Sequence, residues 1–202
     1  HRSLVNFTEI ARLKYKLTPH DRILQFASIS FDTAAEEIYP SLISGGQIVL
    51  RVDEMLNSVA IFLQQCQKFQ LTVLDLPTAY WHQLTLELAN KQLKLPKSLR
   101  LVIIGGEYAR SEIVDLWRQN VGTEPQLVNT YGPTEATVVA TMFHLSTETD
   151  ELPIGRAIHN IQTYVLDNHL QPLPIGVPGE LHLGKKDAIK VANTIPSKPQ
   201  TC

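Results

Sequence analysis

The chain has 202 residues, of which 44% are hydrophobic and 19% charged, the balance of a globular protein with a substantial core. Its 18 Lys and Arg against 20 Asp and Glu give a net charge of −2, so no basic surplus favours nucleic acid as a partner. No apolar run approaches the roughly 18 residues of a membrane-spanning helix, which excludes a membrane protein. Cys66 and Cys202 form no metal or redox pattern, which favours a reducing, cytoplasmic location.

Short β-rich runs alternate with helical patterns along the first 150 residues. The predicted strands are apolar and often β-branched, as buried parallel strands are, and comprise Ile23–Ala27, Gln47–Leu50, Leu71–Asp75, Leu101–Ile104 and Gln126–Asn129. Apolar stripes at helical spacing predict helices behind a cap at Asn57 or Ser58, from Pro77 as a first residue, and behind a cap at Ser111. This alternation predicts an α/β fold, with a parallel sheet flanked by helices on both faces.

The amino-acid composition changes near residue 150, since six of the twelve prolines lie in residues 153–202. Candidate strands Gln162–Leu166 and Glu180–Leu183 are flanked by Pro/Gly turns. We therefore expect an α/β core over residues 1–150 and a smaller β-rich element of the same domain over residues 151–184. The Lys-rich segment 185–202 has no periodicity and is predicted to be disordered.

The most unusual segment, residues 129–135, reads Asn-Thr-Tyr-Gly-Pro-Thr-Glu and follows a predicted buried strand. In open α/β sheets, ligands bind outside the carboxyl ends of the strands. A turn at Gly132 would present Thr134 and Glu135 there, and a hydroxyl beside a carboxylate suits a phosphate oxygen and its Mg²⁺. Tyr131 could stack on a base. The alternative is a Gly-Pro turn followed by the start of a helix.

Five segments occur in a fixed order: His1–Asn6; Gln25–Asp32, with Glu37-Ile38 and Leu42–Gly45 after it; Asn129–Glu135; Leu152–Arg156; and Gly179–Gly184. Together they resemble adenylation domains of non-ribosomal peptide synthetases, in the adenylate-forming ligase superfamily. The resemblance implies that an amino acid and Mg-ATP give aminoacyl-AMP and pyrophosphate. The aminoacyl group then passes to the phosphopantetheine thiol of a peptidyl carrier domain, and a condensation domain is a further partner.

The resemblance also implies roles for individual residues around the nucleotide. Thr134 would contact the phosphate and Glu135 would hold Mg²⁺, which makes these two the candidate catalytic residues. The adenine and its surroundings would be framed by Gly106, Glu107, Asn129, Tyr131 and Gly132. Such catalysis rests mostly on positioning and charge stabilisation.

For the substrate, the resemblance assigns Asp32 to the α-ammonium group, a charge-assisted contact worth roughly 1.5–3 kcal/mol. The alternative for Asp32 is a cap on the following helix. By position in the family, the side-chain pocket would be lined by Thr33, Glu36, Asp75, Ile103, Gly105, Thr130, Val138 and Val139.

Two carboxylates in this pocket, Glu36 and Asp75, occupy positions where the family commonly has neutral residues. They would repel each other unless a cation lies between them, so we expect a basic substrate, lysine first, then ornithine or arginine. Gly105 would leave room for a long side chain, whose methylenes Val138 and Val139 would contact. The alternatives are a strand-to-helix turn residue for Asp75 and a solvated helix charge for Glu36.

The sequence also departs from the family. The Gly/Ser/Thr-rich phosphate loop expected before His1 is not among the 202 residues, nor are the ribose-binding Asp and the catalytic Lys of a C-terminal domain. The change after Gly184 favours a frameshift or truncation near residue 185 and predicts that the chain alone lacks adenylation activity. A non-catalytic amino-acid-binding or scaffold remnant stays open, as does another acyl or aryl adenylate ligase, whose substrate would have no ammonium for Asp32.

Overall fold

The computed structural model describes residues 1–145, 152–185 and 188–191. The helices are α1 (Arg2–Lys14), α2 (Thr33–Ile43), α3 (Val59–Lys68), α4 (Thr78–Lys91) and α5 (Ser111–Asn120). The strands are β1 (Arg22–Gln25), β2 (Gln47–Leu50), β3 (Val73–Pro77), β4 (Leu101–Gly105), β5 (Gln126–Tyr131), β6 (Thr141–His144), β7 (Arg156–Ala157), β8 (Gln162–Leu166), β9 (Glu180–Lys185) and β10 (Ala188–Val191). Short 3-10 turns cover Asp53–Leu56 and Thr134–Ala136.

The main sheet has the strand order β2-β1-β3-β4-β5-β6-β7. The strands from β2 to β5 pair in parallel, and β6 and β7 are added antiparallel at one edge. The register places Asp75 opposite Ile103 and Ile103 opposite Val128, so these residues share one face of three adjacent strands. The predicted α/β fold is confirmed, with an antiparallel edge that the sequence had not indicated.

The two faces of the sheet bury separate cores. On one face, strand residues such as Leu74 and Val102 pack with Trp81 of α4 and Trp117 of α5. On the other face, Val73, Leu101 and Val128 pack with residues of α1, which also lies against α2. Helices therefore cover both faces, as predicted, and the face below α1 and α2 is the one that carries Asp75.

Several element ends differ from the prediction because backbone groups find other partners. β1 ends at Gln25 instead of Ala27, since the N–H groups of Phe26 and Ala27 both donate to the Glu37 carboxylate at 2.9 Å. β3 begins at Val73 instead of Leu71, since the Leu71 N–H donates to Cys66 O at the end of α3.

The first residues and caps of α3, α4 and α5 can be compared with the predicted ones. Ser58 is the cap of α3, and its hydroxyl accepts the Ile61 N–H at 3.2 Å. Pro77 closes β3, and α4 begins one residue later at Thr78. Arg110 holds the N-cap position of α5 and Ser111 is its first residue, so the prediction of Ser111 as the cap is wrong.

A second, three-stranded antiparallel sheet has the order β10-β9-β8. The predicted strands of the β-rich element are present as β8 and β9. The disorder predicted from residue 185 on is wrong for Lys185, which ends β9, and for Ala188–Val191, which pair antiparallel with β9 as β10. Residues 186–187 and 192–202 lie outside the described residues, as do residues 146–151, where the predicted boundary falls.

Within the described ranges, no helix is long and apolar enough to cross a membrane.

Candidate functional site

The predicted site residues gather where β3, β4 and β5 end. Gly105 closes β4 and is followed by Gly106 and Glu107, and β5 leads through Tyr131 into the turn at residues 132–135. Because these strands are parallel, their carboxyl ends lie at one edge of the sheet, which is where α/β proteins bind ligands.

The turn after β5 is held by close backbone contacts. A Cβ on Gly132 would lie 2.5 Å from Val138 O and 2.7 Å from the backbone nitrogen of Ala140, so only glycine fits there. Thr134 and Glu135 are exposed in a single 3-10 turn, and Thr137 then takes a left-handed conformation with φ 70°. A helical turn therefore does begin at Thr134, as the alternative predicts, but it ends at Ala136 and leaves the hydroxyl and the carboxylate exposed at the sheet edge.

Asp32 and Thr134 line the same cleft, although they are about a hundred residues apart in the sequence. The cleft has a volume of about 440 Å³, and its walls include Ile29, Phe31, Ala35, Ile38 and Tyr39. Asp32 stands immediately before α2 but makes no capping hydrogen bond with its side chain. Its carboxylate is therefore not engaged as a helix cap and is available to a ligand in the cleft.

Glu36 and Asp75 form a buried acidic pair, one from α2 and the other from β3. Glu36 is 5% exposed and Asp75 is 3% exposed, so neither is a solvated charge or a turn residue. The Tyr15 hydroxyl donates a hydrogen bond to Glu36 Oε1. Asp75 Oδ2 is buried without a hydrogen-bond partner among the described residues.

The surroundings of this pair disfavour negative charge. Burial, then the charges of Glu37 and Asp32, raises the pKa of Glu36 to about 7, although the Tyr15 hydrogen bond acts against this rise. Burial and the Glu36 and Glu37 charges raise the pKa of Asp75 well above its ordinary range. None of the ion pairs in the described part of the chain includes Glu36 or Asp75. The pair therefore lacks a cationic side chain from the described residues.

Glu37 has a different role, which the sequence reasoning missed. Besides the N–H groups of Phe26 and Ala27, its carboxylate accepts the Gln25 amide at 3.0 Å. Burial raises the pKa of Glu37, and these hydrogen bonds act in the opposite direction. Glu37 thus anchors the segment that leads from β1 to Asp32. Tyr15 was also missed, since a tyrosine after a helix carries no sequence signal of a contact with Glu36.

Gly105 and Thr130 pack directly against each other on adjacent strands. A Cβ on Gly105 would lie 2.6 Å from Thr130 Oγ1, which itself donates to Ile104 O at 3.1 Å. Thr130 therefore occupies the position that a side chain on residue 105 would take, so only glycine fits there.

The remaining predicted residues are spread around the same edge. Thr33 is the first residue of α2, and Ile103 and Val139 are buried in the core below α1, with Val138 packed on it. Asn129 points to the opposite face, where its amide donates to Pro153 O at 2.9 Å.

The residues assigned to the nucleotide leave open space where a ligand could approach. Gly106 has φ +88°, and a Cβ built there would have no atom within 4 Å. Glu107 and Glu135 are exposed, whereas burial of Tyr131 raises the pKa of its hydroxyl. Glu135 is an exposed carboxylate, the kind of single protein ligand that Mg²⁺ takes together with substrate phosphates and water. These features fit Mg²⁺ that arrives with a nucleotide.

A family model described as "AMP-binding enzyme" matches residues 1–190. The chain belongs to this family. Isonitrile lipopeptide synthase of Streptomyces coeruleorubidus is 44% identical over 186 residues, which are 91% of this chain and 12% of that protein. Malpibaldin synthetase of Mortierella alpina is 37% identical over 86% of this chain and 3% of its own length. The chain thus spans a small part of these AMP-binding relatives, and its resemblance to adenylation domains of non-ribosomal peptide synthetases is confirmed.

Solved structures confirm the fold. The crystal structure of the non-ribosomal peptide synthetase FmoA3 superimposes with a TM-score of 0.81 at 20% identity, over 92% of this chain and 20% of that one. The Klebsiella oxytoca NpsA N-terminal subdomain, in complex with 3-hydroxyanthranilyl-AMSN, gives a TM-score of 0.68 over 85% of this chain and 42% of that one. The mostly parallel sheet and its flanking helices are therefore those of the large adenylation subdomain.

Proposed function

We propose that this chain forms the substrate-binding core of an ATP-dependent ligase that activates an amino acid with a basic side chain. The preferred substrate is lysine, followed by ornithine and arginine. Membership of the AMP-binding family supports the reaction class. The buried pair Glu36 and Asp75 supports the basic substrate, and it is the observation that carries the proposal.

The argument for a cation follows from the chemistry of the pair. Asp75 Oδ2 has no hydrogen-bond partner among the described residues, and Glu36 receives its hydrogen bond from Tyr15. A buried carboxylate without a partner is costly, and a charged ammonium donor placed near both acids removes that cost. The ε-ammonium of lysine has three donors, enough to reach Asp75 and the remaining Glu36 oxygen.

The other site residues act on the reacting end of the substrate. Asp32 holds the α-ammonium, and Thr134, on the same cleft, contacts the phosphate at which the amino-acid carboxylate reacts. Glu135 contributes a ligand to Mg²⁺, which, when bound, offsets the charge of the phosphates. The adenine lies near Gly106, Glu107, Asn129, Tyr131 and Gly132. These residues orient the two substrates, and such positioning supplies most of the catalysis in this reaction class.

The complete reaction needs more than these 202 residues. We propose that the aminoacyl group passes to the phosphopantetheine of a peptidyl carrier domain, with a condensation domain as the next partner. The far longer relatives, of which the chain spans 12% and 3%, support this arrangement. We expect the 202 residues to bind amino acid without turnover, and amino-acid-dependent pyrophosphate exchange by the chain at the rate of a complete adenylating enzyme would contradict this.

The test measures equilibrium binding of L-lysine and L-norleucine to the chain by isothermal titration calorimetry. Norleucine has the methylenes of lysine without the ε-ammonium, so the ratio of the two affinities isolates the charge. We expect lysine to bind roughly tenfold to a hundredfold more tightly, from a charged contact of about 1.5–3 kcal/mol. Equal affinities would refute a basic substrate.

Single substitutions test which acidic residues contact the substrate. Asp75→Asn should reduce the preference for lysine over norleucine. Asp53→Asn changes an exposed acid in the 3-10 turn before α3 and should leave that preference unchanged. Asp32→Asn should weaken both ligands equally, because both carry the α-ammonium. Tight binding of benzoate that Asp32→Asn does not change would instead favour an aryl adenylate ligase.

A further inference from the structure

Tyr15 lies outside the set of residues assigned to the pocket, yet it contacts that set. It follows α1 directly, is 2% exposed, and donates its hydroxyl proton to Glu36 Oε1 on α2. We propose that Tyr15 is a positioning residue that sets the preference for a basic substrate by fixing the Glu36 carboxylate. This inference rests on the proposed function, since it concerns the same acidic pair.

The geometry gives the hydroxyl a specific task. Glu36 is buried between α2 and the sheet, and the hydrogen bond that the structure gives its carboxylate comes from Tyr15. One oxygen is thereby held from the α1 side, and Oε2 is left for a ligand. Without the hydroxyl, the carboxylate would lose that restraint and could rotate or take up a proton.

The surrounding charges explain why a proton is the main competitor. Glu36 is faced by Asp75 from β3, by Asp32 immediately before α2 and by Glu37 on α2, all of them acidic. Arg51 is a nearby cation, and its charge lowers the pKa of Glu37. A hydrogen bond donated to the carboxylate favours its charged form, so Tyr15 keeps Glu36 ionised at a pH where its acidic neighbours would otherwise have it protonated.

The test is Tyr15→Phe, which removes the hydroxyl and keeps the ring. Affinities of the full chain for L-lysine and L-norleucine are measured between about pH 6 and pH 9. We expect Tyr15→Phe to weaken lysine binding roughly tenfold near pH 7 without changing norleucine binding, because a hydrogen bond to a charged group is lost. The pH at which lysine binding is half-maximal should rise, because without the hydrogen bond Glu36 ionises only at a higher pH.

Tyr80→Phe is the matched control. The Tyr80 hydroxyl is buried without a hydrogen-bond partner among the described residues and lies in the core on the opposite face, against Phe26 and Phe62. Its removal should leave the lysine preference and the pH profile unchanged. If Tyr15→Phe does not fold, Glu36→Gln tests the same link, because it removes the charge that Tyr15 is proposed to hold and should abolish the lysine preference.

A double-mutant cycle shows whether Tyr15 acts through Glu36. In a Glu36→Gln background, Tyr15→Phe should cause no further loss of lysine preference. An equal loss for lysine and norleucine, or an unshifted pH profile, would mean a structural role and overturn the inference. If the unmodified chain itself does not prefer lysine, the proposed substrate fails first, which separates the two failures.

Discussion

The buried Glu36 carboxylate should make the chain less stable as the pH rises, and Glu36→Gln tests this directly. In the unfolded chain this carboxyl has its ordinary pKa of 4.5, and in the folded chain burial and the neighbouring acids raise it to about 7. The folded state therefore binds the proton more tightly than the unfolded state. This contribution is present below about pH 4.5 and is lost as the pH rises through about 7.

The size of the effect follows from the two pKa values. A pKa of about 7 in place of 4.5 corresponds to about 3 kcal/mol in the free energy of unfolding. Glutamine keeps the oxygen that accepts the Tyr15 hydrogen bond and cannot ionise. We expect Glu36→Gln to be more stable than the unmodified chain by about 3 kcal/mol near pH 8, and the difference to shrink towards pH 5. A residual slope should remain, because burial also raises the pKa of Asp75 and of Glu37.

Urea unfolding at several pH values between about 5 and 8.5 measures this difference. Glu9→Gln, at an exposed site on α1 that pairs with Arg12, is the matched control and should follow the unmodified chain at every pH. If Glu36→Gln shows the same pH dependence as the unmodified chain, the carboxylate does not titrate as its burial requires. That result would also remove the physical basis for an acidic pocket.

Two further predictions concern stability away from the site. Burial alone would raise the pKa of Asp21, but hydrogen bonds from Arg100 and Thr72 lower it to about 2, so Asp21→Asn should cost about 1–2 kcal/mol at pH 7, allowing for the partial exposure of Arg100. This difference in the free energy of unfolding should vanish as the pH falls from about 3.8 to 2. Urea unfolding at several acidic pH values measures it. Ser58→Ala should cost about 1 kcal/mol by removing the α3 cap, and Asn57→Ala should be nearly neutral in the same thermal unfolding assay.

The sequence predicted the parts of the fold that depend on local patterns. Apolar β-branched runs placed all five parallel strands, and the Gly-Pro pair placed the turn after β5 at the edge where ligands bind. The prediction of element ends failed where a backbone group hydrogen-bonds to a side chain that is distant in the sequence. The N–H groups of Phe26 and Ala27 go to Glu37 instead of a neighbouring strand, which shortens β1. No spacing rule reports such a bond, because the carboxylate is ten or more residues away.

The same distinction separates the two halves of the candidate site. The segment with Thr134 and Glu135 is continuous in sequence and could be predicted as a unit. The acidic pair has to be assembled from α2 and β3, and its hydrogen-bond donor comes from the residue after α1. Its chemistry depends on burial, which the sequence does not give, and a lone Glu on a helix is usually solvated.

Burial links the stability of the acidic pair to its selectivity. In water, a carboxylate attracts lysine only weakly, and salt screens the attraction. At 5% and 3% exposure, Glu36 and Asp75 are costly when charged, and Asp75 Oδ2 has no hydrogen-bond partner among the described residues, so a cation that reaches the pair lowers this cost. A neutral side chain of the same length offers no such donor and leaves Asp75 Oδ2 without a hydrogen-bond partner among the described residues. The pair can therefore reject norleucine-like side chains as well as bind lysine, and rejection of this kind comes from buried polar groups left unpaired.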